Sequence, residues 1–177
     1  MLRAFTIICL IAVGQTASGA DGSWVQISGS RTSVVPFEMR YENKAVVQIG
    51  INGGMHGVFL DTGADTLLDI AFAKRLGLRM VETEDTAVGF SGALGKRWTT
   101  TVDIQLGEII IKNYPVNCID LSDFFASVTR TGRQDLALEG VIGDDLLELL
   151  EAQIDFRKHR LTVHVPKPKE QNGRTRH

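Results

Sequence analysis

The sequence has few of the residues from which disulfides, metal sites and covalent catalysis are built. Its 177 residues include 2 cysteines and 4 histidines. Cys9 lies in an N-terminal apolar run, and without that run Cys118 stands alone, which excludes an intrachain disulfide and a cysteine-based metal site. The histidines show no ligand spacing such as HExxH. We expect Cys118 to be a buried, inert thiol and His56 to face water.

Loops that bind nucleotides are also missing. No Walker-type loop is present, and the glycines of GFSGALG, residues 89–95, do not match a dinucleotide-binding fingerprint. We therefore expect no cofactor and no metal ion. A formal net charge of −2 gives no reason to expect nucleic acid or an anionic membrane as a partner.

The first twenty residues form a segment of their own. Arg3 is followed by about ten apolar residues, too few to span a bilayer of roughly 30 Å as a helix. Small residues then lead to Ala20, which is the layout of a secretory signal peptide. We predict a signal peptide over residues 1–20, a secreted or periplasmic location, and no stable membrane insertion after cleavage. An uncleaved membrane anchor is the alternative.

Composition divides the rest of the chain into three parts. Residues 21–43 are rich in Gly and Ser with scattered apolar residues, and we expect an N-terminal leader segment there. Residues 44–165 alternate short apolar runs with turn residues, which is typical of one globular domain. Residues 166–177 are polar and basic, which predicts a disordered tail.

The pattern within residues 44–165 is mainly that of β-strands. Asn52-Gly53-Gly54 lies between two apolar runs and is typical of a hairpin turn. The segments predicted as strand pairs are 45–60, 86–100, 101–121 and 153–165, and those predicted as helices are 67–78 and 144–152. The expected fold class is mainly β: a closed antiparallel β domain with one or two short helices.

The stretch GVFLDTGADT, residues 57–66, places a carboxylate at the end of a strand that reads as buried. Burying a charge is costly unless the charge is paired or shares a proton. Asp61 is therefore either a turn residue in water or a carboxylate kept for chemistry. A pair of carboxylates that share one proton can activate a water without metal, histidine or cysteine. Gly63 permits a tight turn, and Thr62 supplies a hydroxyl that can brace it.

VFLDTGADT, followed about eighty residues later by GVIGDDLLELL, resembles the retropepsin-like aspartic protease family over roughly residues 44–165. The resemblance implies that Asp61 is the catalytic carboxylate. The loop around it would be supported by Thr62, Gly63 and Ala64. A flap over the substrate would contain Gly89, Phe90, Gly92 and Gly95. The second apolar-Gly element would be Val141, Ile142 and Gly143.

Two features depart from the pattern of the family. Retroviral members often have an arginine after the apolar-apolar-Gly strand, and it pairs with the Asp that follows DTGA. This chain has Asp144 there, opposite Asp65, so two like charges would meet, unless Asp144 only helps to cap the following helix. Asp145 with Glu148 fits a capping box. The predicted flap contains Phe90 and no tyrosine.

The sequence thus predicts an aspartic endopeptidase acting on polypeptide substrates. No second Asp-Thr-Gly or Asp-Ser-Gly is present, so the second carboxylate must come from another chain. A homodimer with Asp61 from each subunit at its two-fold axis supplies it. The alternative is a non-catalytic peptide-binding domain of the same fold. The intact Asp61 favours the enzyme, and the altered position at Asp144 favours the alternative.

Overall fold

The computed structural model describes residues 9–10, 25–41, 44–89, 92–129 and 137–166. The strands are β1 (Cys9–Leu10), β2 (Gln26–Gly29), β3 (Thr32–Arg40), β4 (Lys44–Ile51), β5 (Gly54–Leu60), β6 (Leu67–Asp69), β7 (Val81–Gly89), β8 (Gly92–Leu106), β9 (Ile109–Ile119), β10 (Leu138–Ile142), β11 (Gln153–Asp155) and β12 (Arg160–His164). The helices are α1 (Ile70–Arg75), α2 (Ser122–Thr129) and α3 (Asp144–Leu149).

Six strands close into a ring. β9 pairs with β8, β8 with β4, β4 with β5, β5 with β10, β10 with β6, and β6 pairs again with β9. The mainly β, closed fold expected from the sequence is confirmed. The pairings of β5 with β10 and of β6 with β9 are parallel, and the described residues form three helices. Parallel pairs join segments far apart in the chain, so the pattern of neighbouring residues did not predict them.

An apolar core fills the ring, and β9 shows how one strand contributes to it. Ile109 and Ile111 are buried at alternate positions. Asn113 has a φ of 54°, and at this point two residues of β9 oppose Asp103 of β8, which is a β-bulge. The bulge shifts the alternation by one residue, so that Tyr114 also faces the core, where its side chain is 5% exposed.

The hairpin of β4 and β5 is confirmed, with Asn52 and Gly53 as its turn. Both residues have positive φ angles, 48° and 89°, as a two-residue type I′ turn requires. The turn sets the register that pairs Val46 with Phe59. It therefore directs β5 towards Asp61.

The segment 21–43, predicted as a leader, contributes to the fold. β2 pairs with β9, and β3 pairs with β4 and β12. Ile27, Val35 and Phe37 are buried in the core. The domain therefore extends to the N-terminal side of residue 44, which corrects the predicted boundary. Along β3 the buried residues Ser33, Val35 and Phe37 alternate with exposed ones.

The helix predicted over residues 67–78 is shorter than expected. Leu67–Asp69 forms β6, because it fits between β9 and β10, and α1 covers only Ile70–Arg75. Asp69 caps the helix by accepting a hydrogen bond of 3.0 Å from the backbone N–H of Phe72. The apolar spacing that predicted one helix is therefore shared between a strand and a helix.

His56 does not face water, contrary to our expectation. Its side chain is 16% exposed, and its Nδ1 is hydrogen-bonded to Glu139 of β10. The ring packs against Phe72, and Arg75 pairs with the other oxygen of Glu139 at 2.8 Å. The parallel pairing of β5 with β10 brings His56 to this carboxylate.

The predicted signal peptide and tail fall largely outside the described residues. Cys9 and Leu10 pair with β2, and Val165 near the end of the domain donates a backbone hydrogen bond to Arg31. Among the helices that the structure describes, none is long and apolar enough to cross a membrane.

Candidate active site

Asp61 follows directly after β5, at the point where β5 and β10 end side by side. Ile142 of β10 is paired with Leu60, and the backbone N–H of Asp61 donates a hydrogen bond of 3.0 Å to the carbonyl of Ile142. The two elements that carry the sequence resemblance, Asp61-Thr62-Gly63-Ala64 and Val141-Ile142-Gly143, are therefore neighbours.

The turn after Asp61 orients its carboxylate. The N–H of Gly63 donates a hydrogen bond of 2.9 Å to Oδ1 of Asp61, and Asp61 remains partly exposed. A Cβ on Gly63 would meet only that Oδ1, at 3.5 Å, which is an ordinary contact. Crowding within one chain therefore does not explain the glycine, contrary to the reason inferred from the sequence.

Gly143 is the glycine that the loop requires. A Cβ there would lie 2.1 Å from the carbonyl oxygen of Ala64 and 2.2 Å from the carbonyl carbon of Asp65. Two hydrogen bonds join the segments at this crossing: Gly143 N–H donates to Thr66 Oγ1 at 3.0 Å, and Asp144 N–H donates to the Ala64 carbonyl at 2.8 Å. The end of β10 therefore holds the loop that carries Asp61.

The predicted capping box is not formed, because Asp145 has other partners. Gly143 is the N-cap of α3, and no side chain caps the helix. Asp145 accepts hydrogen bonds from the N–H and hydroxyl of Thr66, at 2.8 and 2.6 Å, and from the hydroxyl of Tyr114, at 2.8 Å. Burial and the adjacent Asp145 carboxylate raise the pKa of Tyr114 well above its usual value. Asp144 and Asp65 are both exposed, and Asp144 does not cap the helix.

A cavity of about 180 Å³ opens beside Asp61. Its surface is about equally polar and apolar, and its lining residues are Lys44, Ala45, Phe59, Leu60, Asp61, Thr62, Phe124, Ile154 and Phe156. Phe124 of α2 packs edge-on against Phe59, with ring centroids 5.7 Å apart. Phe156, in the turn between β11 and β12, is 56% exposed. The carboxylate therefore lies at the edge of a site with room for an apolar side chain.

The predicted flap is an antiparallel hairpin. β7 and β8 pair from Val81 opposite Thr99 to Gly89 opposite Gly92. Gly95 has a φ of 92° at a shift of the register, where the chain needs a residue that tolerates this conformation. Phe90 lies outside the described residues. The role of these residues as a flap stays a prediction.

The contributors to the site that were not predicted from the sequence include Tyr114, Phe124, Ile154 and Phe156. They come from β9, α2, β11 and the turn after β11, and each lies far from Asp61 in the chain. The inward position of Tyr114 depends on the bulge at Asn113. The only indication of this bulge in the sequence is the Asn itself, a residue type that adopts positive φ more often than most. No cluster of three or more His, Cys, Asp or Glu side chains in the described parts of the chain is placed to hold a metal ion.

Comparisons with known proteins give the following results. No protein-family model and no curated protein matches the chain. The solved structures that are similar to it include the following three. A retropepsin-like aspartic protease from Rickettsia conorii has 21% identity and a TM-score of 0.47, with 80% of this chain and 93% of that chain covered.

The EIAV protease complexed with the inhibitor HBY-793 has 24% identity and a TM-score of 0.46, with 65% of this chain and 95% of that chain covered. The retroviral protease-like domain of Ddi1 from Leishmania major has 20% identity and a TM-score of 0.44, with 71% and 95% covered. All three are retropepsin-like or retroviral-protease-like. This is the family that the sequence resembles.

Proposed function

We propose that the protein is an aspartic endopeptidase whose active site contains Asp61 from each of two identical chains. The observation that carries the proposal is the position of Asp61. A partly exposed carboxylate follows a buried strand, is oriented by the N–H of Gly63 and lies beside a cavity lined in part by aromatic side chains. A carboxylate with a purely structural role would gain nothing from the cavity.

In the proposed reaction the two Asp61 carboxylates share one proton. The ionised one takes a proton from a water molecule, whose oxygen then attacks the carbon of the scissile peptide carbonyl. The protonated one donates its proton to the carbonyl oxygen. The C–N bond breaks when the resulting tetrahedral species collapses. The amine nitrogen then accepts a proton from the carboxylate that took one from the water, and one hydroxyl of the tetrahedral carbon returns a proton to the other carboxylate. Water adds across the peptide bond, and the pair returns to one shared proton.

The surface near Asp61 supports the homodimer. Phe156 exposes an aromatic ring to solvent and lines the same cavity as Asp61. A second chain that brings its own Asp61 to this side would cover that ring, and an isologous interface requires only one such patch. The chain contains one Asp-Thr-Gly, so the reaction needs this second copy.

A non-catalytic peptide-binding domain is the second candidate. Its support from the sequence was Asp144 in place of a family arginine. Asp144 is exposed, and Asp145 holds the loop after Asp61 by accepting a hydrogen bond from Thr66. Because the loop is held in this way, the absence of an arginine at position 144 is weak support for the non-catalytic domain. Turnover separates the two functions.

A peptide-library digest between about pH 3 and pH 7 tests the proposal, with Asp61→Asn as the matched control. Asn keeps an oxygen that can accept the Gly63 hydrogen bond but cannot share a proton. We expect cleavage by the unsubstituted chain, a bell-shaped pH dependence with its maximum on the acid side, and none by Asp61→Asn. Binding of library peptides without cleavage would identify the peptide-binding domain instead.

We also propose secretion or a periplasmic location, which N-terminal sequencing of the mature chain tests.

A further inference from the structure

The carboxylate of Asp145 gathers hydrogen bonds from two other parts of the fold. Thr66, in the loop after Asp61, donates through its N–H at 2.8 Å and its hydroxyl at 2.6 Å. Tyr114, on β9, donates its hydroxyl at 2.8 Å. Asp145 itself belongs to the first turn of α3. One carboxylate therefore connects the catalytic loop, a strand of the closed ring and a helix.

Three hydrogen bonds and one peptide link connect this carboxylate to the backbone of Asp61. Thr66 Oγ1, which donates to Asp145, accepts a hydrogen bond from Gly143 N–H at 3.0 Å. Gly143 follows Ile142, whose carbonyl accepts the N–H of Asp61 at 3.0 Å. A shift of Asp145 would move Thr66 and Gly143 together, and with them the backbone of Asp61.

Tyr114 is the fixed end of this connection. Its ring is buried in the core and its position follows from the bulge at Asn113, whose N–H is held by Asp103 at 3.1 Å. A buried phenol that donates to a carboxylate makes a charge-assisted hydrogen bond, which is stronger than one between neutral groups. This bond anchors the Asp145 carboxylate to the buried strand β9.

We propose that Tyr114 and Asp145 are positioning residues that hold Asp61 at the distance at which two carboxylates share one proton. The inference rests on the proposed function. Neither residue touches the substrate, and both act through Thr66 and the end of β10. Two carboxylates interact with an energy that falls as their separation grows, and this interaction separates their two apparent pKa values. Loosening the anchor therefore narrows the pH range over which the pair holds one proton.

Tyr114→Phe tests the inference, with Tyr41→Phe as the matched control. Each variant removes one buried phenol oxygen and keeps the ring, but the Tyr41 hydroxyl has no hydrogen-bond partner among the described residues. For Tyr114→Phe we expect kcat to fall about tenfold or more, within the roughly hundredfold cost of misplacing a catalytic group by 1 Å. We expect KM to stay nearly unchanged and the bell-shaped pH profile to become narrower. Tyr41→Phe should match the unsubstituted chain in all three.

Substitutions of Thr66 provide an independent readout. Thr66→Val removes the hydroxyl that bonds Asp145 and should reproduce the narrow pH profile, whereas Thr66→Ser keeps the hydroxyl and should restore the normal width. All rates are measured on a peptide from the library digest, well below the melting temperature of each variant, with folding checked by circular dichroism.

An unchanged kcat and pH profile in Tyr114→Phe would overturn the inference while leaving the proposed function intact. So would a fall in kcat that only follows the loss of folded protein, with the width of the profile unchanged. Activity of the unsubstituted chain that survives in Asp61→Asn would overturn the proposed function itself, and this inference with it.

Discussion

Gly143 lies so close to Ala64 that a Cβ on Gly143 would be 2.1 Å from the Ala64 carbonyl oxygen. The glycine lets the end of β10 pass against the backbone of the loop that carries Asp61. Asp144 N–H then reaches the same carbonyl at 2.8 Å. The loop that presents Asp61 is therefore fixed by backbone contact, and a side chain at this one position would separate the two segments.

Gly143→Ala should unfold or strongly destabilise the protein. The added methyl group would meet backbone atoms that cannot rotate away, and overpacking of this kind costs about 3 kcal/mol or more. Gly77→Ala is the control, because Gly77 has a φ of 67° but nothing within 4 Å of an added Cβ. Its cost should be about 1 kcal/mol from the backbone conformation alone. Chemical denaturation gives both values, and equal losses would contradict the steric account.

Gly63→Ala should separate activity from stability. Its Cβ would make an ordinary contact of 3.5 Å with Asp61 Oδ1, so the melting temperature should change little. In the proposed dimer, however, the methyl group would lie beside the carboxylate that the partner chain and the substrate approach, and we expect activity to be largely lost. Parallel thermal melts and peptide cleavage check this. Normal activity in a normally folded Gly63→Ala protein would show that the space beside Oδ1 is not used.

Phe124→Ala should change which peptides are cleaved. Phe124 lines the cavity beside Asp61, so its removal enlarges the cavity and should shift preference towards larger apolar side chains. Phe125→Ala is the control, because Phe125 packs on the same Phe59, with centroids 6.0 Å apart, but is not part of the cavity lining. The library digest compares the two variants. A shift of equal size in both would mean that packing around Phe59, and not the cavity, sets the preference.

Cys118 should be unreactive in the folded protein. Burial, with a further contribution from the charge of Asp69, raises the pKa of the Cys118 thiol to about 12, so almost no thiolate forms near neutral pH. In a Cys9→Ser chain, a thiol reagent such as dithionitrobenzoate at about pH 8 should react with Cys118 only after denaturant is added. Rapid reaction of the native chain would contradict the burial of Cys118.

The raised pKa of Cys118 also determines the direction in which the stability of the fold changes with pH. The folded value lies above the ordinary value of about 8.5, so the native state keeps a proton that the unfolded state loses between these two pH values. The contribution of the Cys118 thiol to the free energy of unfolding is therefore fully present below about pH 8.5 and declines as the pH rises towards 12. Cys118→Ala should lack this part of the decline, as denaturation at several alkaline pH values would show.

The sequence predicted the features of the fold that depend on neighbouring residues. The hairpin turn at Asn52-Gly53 follows from two residues that tolerate positive φ, and the position of Asp61 at a strand end follows from the apolar run before it. Contacts between distant segments were not predictable in this way. Helical spacing over residues 67–78 gave no sign that Leu67–Asp69 would enter a sheet between β9 and β10.

The same distinction applies to the candidate site. The local pattern pointed to Asp61 and the resemblance pointed to Gly143, and their roles in catalysis stay predictions, whereas the capping box assigned to Asp145 was wrong. Asp145 and Glu148 have the right spacing, but Thr66 and Tyr114 compete for the carboxylate, and those partners come from other elements. His56 was misjudged for the same reason, because Glu139 lies on a strand distant in sequence.

A mixing experiment tests the central claim most directly. Unsubstituted and Asp61→Asn chains are combined in different ratios at constant total concentration, allowed to exchange subunits, and assayed for peptide cleavage. If each active site needs Asp61 from both chains, only dimers of two unsubstituted chains are active. In an equal mixture about one quarter of the dimers have this composition after random pairing, so about one quarter of the activity should remain. Activity that falls in direct proportion, to about one half, would show that each chain works alone and would contradict the shared active site.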